Sequence, residues 1–470
     1  MKRSLAALAL LPLIAFALPS SAQSTTQPQT IEVRIHPVAP DELAMKYRLM
    51  PAAMDQTSGD GATLYMMAFQ FVQENFDSWQ EPRRSEFDRL VDASVDDLNA
   101  EKAESFRMPS TFEFIRLAGH RTQCNWGPAI KEQGYHALLP YLNYARVTAD
   151  LLSIQIKLDI KQGRFDDAIE MLRSGFALAD NFEDEPILVQ CLLGSGLREI
   201  MMTDVRELIQ RPGAPNLYWP LAGLPPSDGL LQRIAQSERD YLFYTFPSLK
   251  RPEELTAEQS RKLIDDIETY VDLSRGSRGS PSHDSVDPRI RVMLQTIQAY
   301  PVAKQWMIRR GIQPQQVDAM PANAVVLSWE LDGYERQADA IEKWTGLPTW
   351  QALSGLQWEA DAGREKDDGL NPLKRLLPSV SGACLRLGQG HRELAMLQII
   401  EAIRGYASVH DGSAPASLDE LSPATPAPLD PLLGKPFGYA VENNVVTLRA
   451  ASPVGTGPQF ETIYHVTLAH

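Results

Sequence analysis

ALLPYLNYARVTADLLSIQIKLDIKQGRFDDAIEMLRSGFALADNF, residues 137–182, decides the fold class. Leu138, Leu142, Ala145, Ala149, Leu152, Ile156 and Ile160 recur at spacings of three and four, which places them on one face of an α-helix. The spacing predicts a helix over 137–162, ended by Gly163, because glycine lets a chain leave a helix through a left-handed residue. Phe165, Ala168, Ile169, Leu172, Phe176 and Ala179 predict a second helix over 165–182. A third begins near Pro186, a residue type favoured in a first turn, and ends before Pro212.

The join between the first two helices resembles the tetratricopeptide repeat. Gly163, Phe165 and Ala168 match its turn glycine, its aromatic and its close-packing alanine, and Leu172 continues the stripe. The match covers one hairpin of about 40 residues, the scale of that repeat. The Trp-Leu-Gly signature is missing and no second copy stands at a fixed period, so the resemblance implies an α-α hairpin rather than a regular array.

Outward from this hairpin, helical patterning dominates. Residues 213–226 are punctuated by proline and glycine around Tyr218 and Trp219 and read as an ordered connector. Helices are expected over 230–246, 255–273, 289–310, 322–344 and 348–363. The polar, glycine-rich stretch 276–288 reads as a loop, and the charge run 364–368 as a solvated helix end.

The two ends differ. Lys2 and Arg3, an apolar stretch from Leu5 to Leu18 and the small residues before Ala22 read as a signal peptide over 1–22, cleaved after Ala22. The stretch is shorter than the roughly 20 residues that span a bilayer, so no stable membrane insertion is expected after cleavage. Residues 23–40 read as a linker with one short strand, Ile31 to Ile35. At the other end, Gly388 and Gly390 interrupt the helical pattern and are taken as a boundary. A helix from Gly390 to about His410 follows, then Pro423, Pro426, Pro428 and Pro431. Phe437, Tyr439 and Val441 alternate as a strand, Asn443-Asn444 suits a tight turn, and Val446, Leu448 and Ala450 return. Thr462 to Leu468 adds a third strand.

This C-terminal segment resembles the globular part of the major, G-type pseudopilins of type II secretion. The shared order is a helix ending in Tyr406, then Pro415 to Leu421, then Asp430 to Phe437 before a hairpin. The prepilin helix is absent and the family's acidic calcium loop is replaced by residues 452–458, so the resemblance implies the fold and neither pilus assembly nor the metal site. The helical body is similar to uncharacterised secreted bacterial proteins, which implies no activity. The expected architecture is therefore mainly α: an irregular helical-hairpin domain over 41–387 and a small α+β module over 388–470.

Charge and chemistry narrow the function. With 45 basic and 60 acidic side chains the chain carries −15, and loss of Lys2 and Arg3 makes the mature chain more acidic still. That balance disfavours nucleic acid and anionic lipid as partners. Cys124, Cys191 and Cys384 are an odd number in an oxidising compartment, leaving open one disulfide with a free thiol or three thiols. His120 and Cys124 would share a helix face if that segment were helical, but two ligands do not make a metal centre. Gly194-Ser195-Gly196 lacks the flanking glycines of a nucleophile elbow and reads as a helix-packing feature. Glu183-Asp184-Glu185 reads as favourable charge before a helix, and Asp265 and Asp266 as a polar face. No cofactor, metal or catalytic residue is therefore assigned.

Aromatics supply the remaining signal. Tyr218, Trp219 and Trp350 are candidates for lining a binding groove, with core packing the competing use of such rings. The resulting expectation is an exported, non-enzymatic helical protein of the periplasm, envelope or medium that binds or scaffolds an unknown protein or envelope polymer. The alternatives are an exported hydrolase acting on a polymer and an accessory to secretion. Mass spectrometry of the exported protein is expected to show an N-terminus at Gln23; a full-length form held in the inner membrane would contradict the reading of residues 1–22.

Overall fold

A computed structural model of the chain describes residues 27–127, 130–134, 137–225, 229–276, 288–365, 371–377, 379–421 and 423–469. The signal peptide expected over 1–22, most of the 276–288 loop and most of the 364–368 charge run lie outside them. The described residues are mainly α-helical, with sixteen α-helices, a four-stranded sheet built largely from the C-terminal part and a two-stranded sheet nearer the N-terminus. In chain order the elements used below are β1 (Gln29–Ile35), β2 (Thr57–Asp60), α1 (Ala62–Phe76), α2 (Arg83–Asp92), α3 (Ala100–Glu104), α4 (Pro109–Gly119), β3 (Arg121–Gln123), α5 (Ile130–Gln133), α6 (Tyr141–Lys161), α7 (Phe165–Glu183) and α8 (Leu188–Ile209). They continue with α9 (Tyr218–Ala222), α10 (Leu230–Thr245), α11 (Ala257–Gly276), α12 (Pro288–Arg309), α13 (Pro314–Ala319), α14 (Ala322–Thr345), α15 (Thr349–Glu365), α16 (Val380–Val409), β4 (Gly438–Glu442), β5 (Val445–Ala450) and β6 (Thr462–Leu468).

The described residues fall into two compact units. The larger takes its residues from Ala17–Gly127, Pro140–Leu230 and Ala383–His470, and the smaller from Pro128–Leu139 and Leu231–Gly382. In the smaller unit α14 is central. Leu327, Leu331 and Tyr334 pack with Ile264, Ile267 and Val271 of α11, while Val325 and Val326 pack with Ala299, Ala303 and Met307 of α12.

In the larger unit the α6–α7 hairpin predicted from its stripes forms the centre. The first helix begins at Tyr141 rather than 137, because Pro140 disfavours a helical residue before it. Gly163 turns the chain with φ +72°. α7 and α8 come close because of glycine: a Cβ on Gly194 would meet the Ala179 carbonyl oxygen at 2.7 Å. Trp126 lies against Phe182 (ring centroids 4.2 Å apart), Tyr65 (5.4 Å) and Tyr141 (5.5 Å), and donates from Nε1 to the Asn181 carbonyl at 2.9 Å.

The sheet of this unit has the order β1-β6-β5-β4. β4 and β5 form the expected hairpin, with Tyr439 opposite Leu448 and Val441 opposite Val446. Asn443 and Asn444 have φ of 50° and 63°, the paired left-handed residues of a type I′ turn. β1 pairs in parallel with β6, Val33 opposite Val466, so the strand expected in the 23–40 linker is a sheet edge rather than part of a tether.

Two sequence expectations about the C-terminal part are corrected. Gly388 and Gly390 do not interrupt a helix: α16 begins at Val380 and runs through both. A helical glycine costs only about 1 kcal/mol relative to alanine, and buried Cys384, Leu387, Met396 and Ile400 along the same helix offset that. Nor is 388–470 self-contained. Its sheet needs β1, and Tyr464 of β6 accepts a 3.0 Å hydrogen bond from Arg206 of α8, while Arg206 also pairs with Glu393 of α16 at 3.0 Å. An isolated 388–470 fragment lacks both β1 and α8, so it is expected to give a collapsed amide spectrum without slow exchange in 438–448; a dispersed spectrum would restore the boundary at 387.

Candidate functional site

A cleft of about 700 Å³ opens in the larger unit between α3, α4, the end of α6 and the start of α7. Its walls follow from local chemistry. Asn99 caps α3 by accepting the Lys102 amide at 3.0 Å, and Pro109 opens α4, where its missing N–H costs no helical bond. The stretch before α3 is anchored by two lysines of α6. Lys157 donates to the Val91 carbonyl at 2.7 Å, and Lys161 to those of Val95 and Asp96 at 3.0 and 2.9 Å.

Gln155 and Asp159 form the cleft floor, at 6% and 3% exposure, on a helix whose other faces are also buried. The Gln155 amide donates to one Asp159 oxygen at 3.0 Å, and Arg164 takes the other. Arg164 also approaches Asp167 at 3.4 Å. On the wall, Arg116 grips Glu113 through two hydrogen bonds of 2.9 and 2.7 Å, and Arg107 pairs with Glu104 at 3.1 Å. Glu101 and Glu170 complete the charged lining, with Phe112, Pro109 and Met171 as the apolar part. Six carboxylates thus face three guanidiniums, and among the described residues that line the cleft there is no histidine, cysteine or serine.

The electrostatics fit a paired lining. Hydrogen bonds from Arg116 hold Glu113 below the usual carboxylate range. Burial raises Asp159, and the bonds from Gln155 and Arg164 oppose that rise. A second cavity of about 570 Å³ shares Arg164 and Asp167 with the first and continues past Gly163 toward Lys46, Tyr47 and the 213–216 connector. There the Tyr47 hydroxyl donates to Asp166 at 2.8 Å.

The aromatics singled out from sequence do not meet at this site. Tyr218 is buried, its hydroxyl donating to the Pro426 carbonyl at 2.6 Å. Trp219 stands edge-on to Tyr218 with centroids 5.0 Å apart, on α9, a short helix within the expected connector. Trp350 is 40% exposed and belongs to the smaller unit. His120 and Cys124 do not share a helix face, because α4 stops at Gly119 and Arg121–Gln123 pairs as β3 with β2. Burial, and after it the nearby Asp60, Glu185 and Asp184 carboxylates, push the Cys124 thiol above its ordinary range. Glu183 ends α7 and, with Asp184 and Glu185, precedes α8, and buried Arg198 of that helix grips it through bonds of 3.0 and 2.6 Å. Compared with family models, curated proteins and solved structures, the chain matches none. Among the described residues no helix is long and apolar enough to cross a membrane.

Sequence reasoning passed over the polar residues of α6. Their signal is an i, i+4 pair, Gln155 and Asp159, inside an otherwise apolar run and followed five residues later by Arg164. On the opposite flank of the same helix, Ser153 donates to Asp204 of α8 at 2.9 Å and Arg146 bonds Asp150 at 3.2 Å. Burial pushes Asp204 up to about 7 and Asp150 up to about 6, and does the same to Asp180, to about 6. Folding raises these pKa values, so the folded chain binds protons more tightly than the unfolded one. The stability they contribute is complete below the unfolded value near 3.8 and is lost as pH rises through 6 to 7. Urea denaturation is therefore expected to show stability climbing from pH 8 to pH 5. Asp204→Asn should remove up to one proton's share of that slope, about 1.4 kcal/mol per pH unit.

Proposed function

We propose that this chain is a non-enzymatic recognition protein that holds an extended segment of another macromolecule in the cleft between α3–α4 and the α6–α7 hairpin. The observation that carries this reading is the pairing within the lining. Five of the six lining carboxylates, Glu104, Glu113, Asp159, Asp167 and Glu170, have an arginine partner, and the described lining residues include no serine, cysteine or histidine. A hydrolase needs a carboxyl group free to protonate a leaving group and a second to activate water or attack. Paired carboxylates instead present fixed charges and donors, which suit recognition. The volume of about 700 Å³ lies within the range of pre-formed ligand sites, and the open second cavity extends it for a chain rather than a compact molecule.

The test uses a random peptide library displayed on phage and panned against the chain and against Ala100→Trp. That substitution adds an indole at a lining position of α3. Peptides enriched on the wild type are expected to lose about tenfold or more in affinity for the variant, with its melting curve unchanged. Binders indifferent to Ala100→Trp would remove the cleft from the reading, and cleavage of a bound segment would replace it with the hydrolase.

A further inference from the structure

The most informative residue in the cleft is Arg164, and its side chain is not needed to build the fold around it. The turn between α6 and α7 is already closed by its backbone, whose N–H donates to the Asp159 carbonyl at 2.8 Å, and by Gly163 in the left-handed region. Its guanidinium is 40% exposed, yet it bridges the floor carboxylate Asp159, whose side chain is only 4% exposed, to Asp167. A guanidinium reaching from the rim into a buried carboxylate occupies the place that a ligand's guanidinium would take.

We propose that Asp159 is the anchor for an arginine side chain of a bound partner segment, and that Arg164 is a built-in occupant which the ligand displaces. This rests on the recognition reading of the cleft. Three observations support the class of ligand. Asp159 keeps one oxygen on the Gln155 amide, so the carboxylate is oriented independently of Arg164. The other two lining arginines are committed to neighbours three residues away on or beside their own helices, Arg107 to Glu104 and Arg116 to Glu113, and so do not compete for the floor. The lining retains an excess of carboxylates over cations, which attracts a cation and repels acidic segments. A planar fork that meets two carboxylates is guanidinium chemistry, which the point charge of an ammonium does not reproduce.

Displacement exchanges one guanidinium for another on the same buried carboxylate, so the Asp159 ion pair is remade rather than left uncompensated. Competition from Arg164 lowers apparent affinity by the fraction of molecules in which it has swung away. Substitutions at the two ends of one ion pair should therefore act in opposite directions.

Fluorescence anisotropy at pH 8 tests this with a labelled, end-blocked Gly-Gly-Arg-Gly-Gly peptide and its citrulline counterpart. Arg164→Ala is expected to bind the arginine peptide more tightly than wild type by about three- to tenfold. Asp159→Asn should bind it about tenfold more weakly or worse, and the citrulline peptide, which keeps the shape without the charge, should bind poorly to all. Arg164→Ala alters a partly exposed side chain, so its sign remains decisive even where Asp159→Asn folds poorly. Weaker or unchanged binding in Arg164→Ala, or equal binding of both peptides, overturns the anchor. If that binding is still lost in Ala100→Trp, the cleft reading stands without the anchor; if no peptide, including those enriched by panning, depends on the cleft, both fall.

Discussion

Arg404 and Glu401 sit one turn apart on α16, and neither side chain has any exposed surface. The guanidinium donates to the carbonyls of His36, Ala214 and Pro215 and to Glu401, and the second Glu401 oxygen accepts the Leu217 amide at 2.7 Å. Three segments far apart in sequence, the end of β1, the 213–217 connector and α16, meet at this pair. Burying two charges is expensive, and such a pair is not a large net source of stability. Its force is that no single partner can leave. Removing one leaves a buried charge uncompensated, at several kcal/mol. The position of β1 on the sheet and of the connector that lines the second cavity both follow from that constraint.

The same logic recurs along the larger unit. Arg392 grips Asp430 with both side chains at 1% exposure and donates to the Ala451 and Phe460 carbonyls, fixing the loops on either side of the β4–β5 hairpin. Arg206 joins α8 to Glu393 and Tyr464. Lys157 and Lys161 pin the backbone ahead of α3. Long basic side chains with several donors act here as connectors between carbonyls that no strand or helix satisfies. The cleft belongs to this construction: Lys157 and Lys161 tie the backbone ahead of α3 to α6, and charged groups dominate the lining between α3, α4 and the α6–α7 turn.

Much of the fold was legible. The stripes over 137–162 and 165–182 located α6 and α7 to within a few residues, because a helix with a buried face must repeat its apolar residues at 3.6. The Asn443-Asn444 turn was legible for a local reason as well, since few residues accept two successive left-handed positions. The errors arose where local cost was outweighed. Gly388 and Gly390 weaken a helix only slightly, and the burial of α16 overrides them. The aromatic rings that looked like a binding surface were ambiguous because a Tyr such as Tyr218 serves equally to pack and to donate to a carbonyl. The cleft residues left a weaker trace. Gln155 and Asp159 look, in sequence, like the solvent face of α6, and nothing local says that this face is covered.

By itself, then, the sequence determined the local alphabet: a mainly helical chain, a glycine-turned hairpin at its centre, and an asparagine-turned hairpin near its end. These depend on spacing and backbone preference, which act over a few residues. Tertiary structure alone decided that β1 closes the sheet more than 400 residues away in the chain, that α6 is buried through most of its length, and that Asp159 lies at the floor of a cleft. Those outcomes depend on where buried charges find partners. A guanidinium satisfies carbonyls from any part of the chain that reaches it, so its partners carry no fixed spacing for a sequence to display.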